Sequence, residues 1–267
     1  MWGDIAIAFL LAFITAFVIT PYTIRLAKKL GAVDSPKDER RVNKTAMPRL
    51  GGLAIVAGFT VSVIYLLTIM SIEQTIELTG TEQYYIKLIG FFIGIIVLGI
   101  TCFIDDIKGI GAILKLFGQV VAAGIVVYSG VRIDNISILF LQEKGLETIF
   151  SIVLTIGWIV GITNAINLID GLDGLSSGIS IISCVSLLII FSLNNSPMIA
   201  VILITALAGS LIGFIPYNFN PAKTFMGDTG SNFIGFSLAV ISILRNSKNI
   251  YCNCNTSSNN SFSTSNI

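Results

Sequence analysis

Histidine is absent from this chain of 267 residues, and charged residues make up only 12% of it. The absence of histidine removes the commonest general base and transition-metal ligand of proteins. The four cysteines form neither a disulfide framework nor a structural zinc site, because Cys102 and Cys184 lie in apolar segments and Cys252 and Cys254 make one C-x-C pair. A net charge of +1 leaves no basic footprint for nucleic acid.

Long apolar segments dominate the chain instead. The mean hydropathy is +0.88 and 54% of the residues are hydrophobic, which lies outside the balance of a soluble domain. A helix needs about 20 apolar residues to cross the hydrocarbon core of a bilayer. About eight segments approach this length: Trp2–Thr20, Leu53–Met70, Ile86–Phe103, Ile113–Tyr128, Thr148–Ile162, Ile179–Leu193, Met198–Ile215 and Phe233–Leu244. The sequence therefore predicts an all-α fold, a polytopic transmembrane helical bundle.

Four polar motifs interrupt these segments, and the span count puts all of them on one face. The first loop holds eight Lys and Arg residues from Arg25 to Arg49, whereas the next loop is acidic, so the positive-inside rule makes the first loop cytoplasmic. Alternation of the spans then brings four motifs to the cytoplasmic face: Asp34–Gly52, Asp105–Asp106, Asn164–Gly174 and Phe225–Ser231. Acidic and amide side chains are costly at the mouth of a bilayer, so their convergence predicts a cation-dependent site in a membrane enzyme.

Two of the motifs are acidic. Asp105 and Asp106 are adjacent carboxylates that ionise together cheaply only beside a cation, which favours a divalent metal or a shared proton. A plain solvated helix end is the alternative. Asp170 and Asp173 are three residues apart, a spacing that on a helix puts both on one face, with Asn164 and Asn167 on nearly the same stripe. Polar contacts between helices are the structural alternative, but two Asp beside two Asn exceed what such contacts need.

The other two motifs are suited to phosphate. Phe225–Ser231 predicts a helix N-terminus with Asp228, Thr229 or Ser231 as its cap, and such an end with small residues also receives phosphate. Lys44 and Arg49 lie in a turn rich in Pro and Gly that leads into a helix, a geometry suited to holding cations against a diphosphate. The alternative for these cations is a purely topogenic role.

Taken in order, the motifs resemble those of the polyprenyl-phosphate N-acetylhexosamine-1-phosphate transferases. The resemblance runs from about Thr20 to Ile243 and is carried by Asn-x-x-Asn-x-x-Asp-Gly-x-Asp-Gly and Phe-Met-Gly-Asp-Thr-Gly-Ser. These bacterial membrane enzymes begin the lipid intermediates of wall teichoic acid, O-antigen and peptidoglycan. The resemblance implies that a polyprenyl phosphate attacks the sugar-linked phosphate of a UDP-sugar and releases UMP, with Mg²⁺ as cofactor or Mn²⁺ in its place.

The same resemblance implies a role for each motif. Asp228 would be the principal metal ligand, and Asp105 and Asp106 would bind or activate the lipid phosphate. Three further side chains would complete the phosphate and metal site: Asn167, Asp170 and Lys115. The substrate-binding side chains, with Phe225 stacking on uracil, would be Lys44, Arg49, Asn164, Asp173, Asn218 and Phe225.

Two segments look closer in sequence to the enzymes that use UDP-GlcNAc than to those that use UDP-MurNAc-pentapeptide. They are Met47–Gly52 and Gly230–Phe236. The expected protein is a GlcNAc-1-phosphate transferase that acts on undecaprenyl phosphate at the inner face of a bacterial plasma membrane. A homodimer is compatible with this interpretation. Three alternatives stay open: the phospho-MurNAc-pentapeptide transferase, a cation-coupled secondary transporter, and a catalytically inactive membrane subunit.

The C-terminal residues suggest a truncation. We interpret residues 1–244 as an incomplete membrane-embedded transferase domain and residues 245–267 as a polar tail rich in Asn, Ser and Thr. A disordered tail is one explanation. The other is a frameshift, because codons for Tyr251–Phe262 read one position later can encode an apolar run. On this hypothesis the missing part holds further spans and the His-containing loop of the resembling enzymes, span eight is poorly packed, and activity is low.

Overall fold

A computed structural model of the protein describes residues 2–34, 46–72, 82–133, 144–194 and 196–244. The described chain is almost entirely helical, as predicted. Two short strands, β1 (Val33–Asp34) and β2 (Met47–Pro48), pair antiparallel beside the first helix. The helices are α1 (Trp2–Leu30), α2 (Gly52–Ile72), α3 (Glu82–Lys108), α4 (Ala112–Tyr128), α5 (Lys144–Ile169), α6 (Leu175–Leu193), α7 (Met198–Asn218) and α8 (Gly227–Leu244).

Six of these helices are long and apolar enough to cross a membrane: α1, α2, α3, α5, α6 and α7. Their outward faces carry large exposed apolar side chains, such as Leu10 on α1, Ile96 on α3 and Val153 on α5. A lipid-facing surface has this character, since the hydrocarbon core offers no partner for polar groups. The polytopic helical membrane fold is therefore confirmed.

Helix α8 differs from the prediction in its start and in its packing. It begins at Gly227 rather than Phe233, because its polar first turn finds hydrogen-bond partners inside the protein. Its 18 residues span about 27 Å at 1.5 Å per residue, close to the thickness of a bilayer core. The expectation of a poorly packed eighth span is wrong, because nearly every residue of α8 is buried among its neighbours.

Small and aromatic residues enclose α8. A Cβ on Gly235 would lie 2.7 Å from Cα of Thr163, so the glycine lets α5 approach closely. On another side, Phe233 packs edge-on against Phe59 with ring centroids 5.4 Å apart, and Phe236 stacks on Phe91 at 6.1 Å. These contacts place α8 in the middle of the bundle, where its polar N-terminal turn meets the ends of α2, α3, α4 and α5.

Candidate active site

The loops that precede α2 and α8 are joined by backbone hydrogen bonds. Phe225 N–H donates to the Pro48 carbonyl at 2.8 Å, and Gly51 N–H donates to the Phe225 carbonyl at 3.0 Å. Gly227, with φ of 70°, lies where a Cβ would collide with the Arg49 carbonyl oxygen. The described end of the first motif, residues 46–52, and the Phe225–Ser231 motif are thus parts of one structure at one end of the bundle.

Asp106 caps helix α8 from the neighbouring helix α3. Its carboxylate accepts hydrogen bonds from Asp228 N–H at 2.8 Å, from Thr229 N–H at 2.9 Å and from the Thr229 hydroxyl at 2.6 Å. A buried carboxylate in this position satisfies free amides and lies favourably at the positive end of the helix dipole. The prediction that Asp228, Thr229 or Ser231 would be the cap is therefore wrong.

Asp105 points elsewhere, since neighbouring side chains on a helix diverge by about 100°. One carboxylate oxygen accepts a hydrogen bond from Ile110 N–H at 2.8 Å, and the other lies 3.5 Å from the Lys115 ammonium. The adjacent carboxylates thus have different partners. A divalent metal or a shared proton at this pair stays a prediction.

Lys115 on α4 lies at the centre of the cluster. Its ammonium donates to Asp228 Oδ1 at 2.6 Å and to Asn167 Oδ1 at 3.2 Å, in addition to the ion pair with Asp105. The Asn167 amide donates in turn to Asp228 Oδ1 at 2.6 Å and to the Ser231 hydroxyl at 2.8 Å. The structure therefore brings together four of the predicted site residues from α3, α4, α5 and α8.

A second group of polar side chains lies one turn deeper on the same helices. Gln119 follows Lys115 on α4, Asn164 precedes Asn167 on α5, and Asn232 follows Asp228 on α8. Gln119 hydrogen-bonds both Asn164 and Asn232. Sequence reasoning missed Gln119 and Asn232, although a spacing of four residues from Lys115 and Asp228 is a signal for a shared helix face.

The acidic pair after α5 is arranged differently from the prediction. Helix α5 ends at Ile169, so Asp170 and Asp173 lie in a turn and not on a helix face with the two Asn residues. The turn ends at Gly174, the N-cap of α6, whose φ of 72° suits glycine. Asp173 accepts hydrogen bonds from the Asn220 amide and from Ala222 N–H, both at 3.2 Å.

Asp170 is half-buried and close enough to the cluster to respond to its charges. Burial, followed by the negative charges of Asp228 and Asp106, raises the pKa of Asp170 to about 7, although the charge of Arg49 lowers it. A carboxyl group with this pKa is poised to exchange a proton for a cation near neutral pH.

Two of the predicted uridine contacts, Asp173 and Asn218, bond to residues of α6 or of the loop between α7 and α8. Asn218 is buried, accepting a hydrogen bond from the Ser177 hydroxyl at 2.7 Å and donating to the Thr224 carbonyl at 3.1 Å. Its amide therefore fixes the loop that leads to half-buried Phe225. Lys44 lies outside the described residues. The uridine-binding roles of Lys44, Asp173, Asn218 and Phe225 stay predictions.

The cluster fits a hard divalent cation by its donor chemistry. In the described part of the chain, no group of three or more His, Cys, Asp or Glu side chains is gathered around a metal position. Mg²⁺ does not need one, because it usually takes one or two carboxylates and completes its shell with water and substrate phosphates. Oxygens of Asp105, Asn167 and Asp228 already surround one cationic group, the Lys115 ammonium.

Comparison with known proteins points to one family. A model of glycosyl transferase family 4 matches residues 88–246. The chain is 42% identical over 244 residues to a probable undecaprenyl-phosphate N-acetylglucosaminyl 1-phosphate transferase of Bacillus subtilis, covering 90% of this chain and 63% of that protein. It is 36% identical over 245 residues to a decaprenyl-phosphate N-acetylglucosaminephosphotransferase of Mycobacterium tuberculosis, covering 86% of this chain and 57% of that protein.

A phospho-N-acetylmuramoyl-pentapeptide-transferase of Streptococcus thermophilus is 33% identical over 260 residues, covering 88% of this chain and 71% of that protein. The chain thus spans about three fifths of the length of the first two relatives. All three names describe transfer of a phosphosugar, although the sugars differ.

Proposed function

We propose, from the premise that this chain belongs to glycosyl transferase family 4, that it transfers GlcNAc-1-phosphate from UDP-GlcNAc to undecaprenyl phosphate. The products are undecaprenyl diphosphate-GlcNAc and UMP, and the site faces the cytoplasm of a bacterial cell. The 42% identity to the Bacillus subtilis relative supports the choice of sugar and lipid. The acidic second loop and the basic first loop support the orientation.

The observation that carries the proposal is the Lys115 cluster at one end of the bundle. Phosphoryl transfer between two anions depends mainly on positioning and charge neutralisation. The Lys115 ammonium, held by Asp228 and Asn167, supplies a positive charge beside the small residues at the start of α8, whose Asp228 and Thr229 amides are capped by Asp106. This arrangement can draw two phosphates together. An oxygen of the lipid phosphate then bonds to the sugar-linked phosphorus, while the bond from that phosphorus to the bridging oxygen breaks and UMP leaves with this oxygen.

Access for a lipid substrate is consistent with the surface next to Lys115. Its neighbours Ile113, Leu116 and Phe117 on α4 are large, apolar and exposed. A polyprenyl chain could lie against this face inside the bilayer, with its phosphate at the level of the ammonium. The secondary-transporter alternative requires polar residues near the midpoints of spans. Here Asp105 lies in the last turn of α3 and Asp228 in the first turn of α8.

Asp228 would hold Mg²⁺ or Mn²⁺, with Asp105 and the Asn167 carbonyl oxygen as further ligands. A bound divalent cation would supply additional neutralisation of phosphate oxygens during transfer. Asp105 is oriented for this by the Ile110 hydrogen bond, which leaves its second oxygen directed toward Lys115. The Asp106 carboxylate, by contrast, orients the first turn of α8 and contributes through Asp228.

The test uses the purified chain in vesicles that contain undecaprenyl phosphate, with Mg²⁺ and labelled UDP-GlcNAc or UDP-MurNAc-pentapeptide. We expect lipid-linked GlcNAc and UMP, and no product when Mg²⁺ is chelated. Lipid-linked product from UDP-MurNAc-pentapeptide alone would favour the second candidate, which the Streptococcus relative supports. The absence both of transfer and of Mg²⁺-dependent UDP-sugar binding would overturn the proposed function.

A further inference from the structure

The polar residues of α4, α5 and α8 form two stacked layers. The outer layer is the Lys115–Asn167–Asp228 cluster, and the inner layer, which we name the amide layer, consists of Gln119, Asn164 and Asn232. A separation of three or four residues on a helix places the amide layer about 5 to 6 Å deeper along the helix axes. Each of the three helices contributes one side chain to each layer.

Hydrogen bonds link the three side chains of the amide layer to one another. The Gln119 amide donates to Asn232 Oδ1 at 2.7 Å and to Asn164 Oδ1 at 3.2 Å, while its carbonyl oxygen accepts from the Asn164 amide at 2.7 Å. Asn232 then donates to the backbone carbonyl of Asp228 at 2.8 Å. Gln119 is 1% exposed and Asn232 is 0% exposed, so water does not compete for these groups.

Apolar side chains would pack three helices together in a membrane without any need for amides. Buried amides are tolerated because they are mutually bonded, and such bonds fix the rotation and axial register of helices more strictly than apolar contacts do. Register matters here, since a slip of one turn moves a side chain by about 5.4 Å. A slip of that size would separate the Lys115 ammonium from Asp228, which it contacts at 2.6 Å.

We propose that Gln119, Asn164 and Asn232 are positioning residues that hold Lys115, Asn167 and Asp228 in register for phosphosugar transfer. Gln119 links α4 to both other helices, and Asn232 transmits this constraint to the backbone of the residue that would bind the metal. Asn164 on this account acts through the amide layer, with its amide also bonded to the Val160 carbonyl at 2.9 Å, and does not contact substrate. The inference rests on the proposed function of the outer layer.

The test compares Gln119→Met, Asn232→Leu and the double variant, which remove the hydrogen bonds but keep side-chain volume. Thr163→Val is the matched control, because the buried Thr163 hydroxyl on α5 donates to the Ile159 carbonyl of its own helix and takes no part in the amide layer. We expect kcat to fall about 10- to 100-fold in each single variant, with KM for UDP-GlcNAc within about threefold of the parent. The double variant should lose little more than either single variant, since both break one linkage.

Hydrogen–deuterium exchange gives a readout that does not depend on activity. Exchange should accelerate in residues 227–232 and 112–119 of Gln119→Met, but stay at parental rates in α1 and α7. The proposal is overturned if exchange in residues 227–232 is unchanged, if kcat stays within twofold of the parent, or if Thr163→Val loses as much kcat as Gln119→Met. A parent protein that shows neither transfer nor Mg²⁺-dependent UDP-sugar binding would defeat the proposed function, whereas the exchange data would still decide whether the amide layer positions the start of α8.

Discussion

Replacing Lys115 by methionine should tighten divalent-metal binding to the substrate-free protein while reducing transfer. The Lys115 ammonium contacts Asp228, Asn167 and Asp105, the oxygen donors that a metal would use. A metal that takes Asp228 Oδ1 must first displace a bond of 2.6 Å between two side chains that are only 14% and 21% exposed. Methionine keeps most of the length of the side chain but removes this resident cation.

The size of the effect follows from the displaced bond. A hydrogen bond to a charged group contributes about 1.5 to 3 kcal/mol, which corresponds to roughly 10- to 100-fold in metal affinity. Lys108→Met is the control, because Lys108 is an exposed residue at the end of α3 and its loss changes the net charge equally. Both variants thus have the same net charge, and the difference between them reports the removal of the ammonium from the ligand oxygens.

Affinity for Mn²⁺ can be measured by electron paramagnetic resonance on the detergent-solubilised protein without substrates. We expect Lys115→Met to bind Mn²⁺ at least about tenfold more tightly than Lys108→Met, and to show less transfer because the lipid and sugar phosphates lose a cation. Equal or weaker binding in Lys115→Met would refute the reasoning. It would mean that the ammonium does not occupy the metal position, or that Asp228 is not a metal ligand.

Three further predictions concern the carboxylates. Asp228→Asn and Asp105→Asn should each reduce transfer to below about a tenth of the parent and leave membrane insertion intact. Transfer assays and carbonate extraction measure these two properties. Transfer above a tenth of the parent would contradict the proposed roles. Asp106→Ala should lower the free energy of unfolding by about 1 to 3 kcal/mol, because it leaves the Asp228 and Thr229 amides without their acceptor. The measurement is a denaturant titration in detergent, and an unchanged midpoint would contradict the cap. The pKa of Asp170 is raised to about 7 from 3.8, so the metal-free protein should lose stability as pH rises through this window. Affinity for Mg²⁺ should increase until about pH 7 and then level off. A thermal-shift series in which Asp170→Asn keeps the same pH dependence would rule this out.

The sequence allowed the helices and their common polar end to be predicted because both depend on local composition. Apolar runs long enough for a bilayer identify spans, and the uneven distribution of Lys and Arg orients them. Alternation then brings the polar motifs together without any knowledge of packing. The Lys115 cluster follows from this reasoning together with the family resemblance.

The errors occurred where a residue's conformation depends on a distant partner. Asp106 caps α8 from a position 122 residues away, so no local pattern distinguishes it from Asp105. The prediction that Asp170 and Asp173 share a helix face assumed that α5 continues beyond Ile169. Instead the chain turns there, and Asp173 bonds to the loop after α7. Spacing along one helix predicts a shared face only after the end of that helix is known.

Helix α8 shows why hydropathy underestimates a polar helix in the centre of a bundle. It is not among the six helices that qualify as spans by length and apolar composition, yet almost all of its residues are buried. Thr229, Ser231 and Asn232 are each at most 2% exposed. Thr229 hydrogen-bonds to α3, Ser231 hydrogen-bonds to α5, and Asn232 hydrogen-bonds both to α4 and to the backbone of α8. Hydropathy measures whether a helix can face lipid. A helix surrounded by other helices faces no lipid, so it can carry polar groups wherever neighbouring residues hydrogen-bond to them. In this fold the polar helix lies in the centre, and the apolar helices around it provide the surface that the bilayer requires.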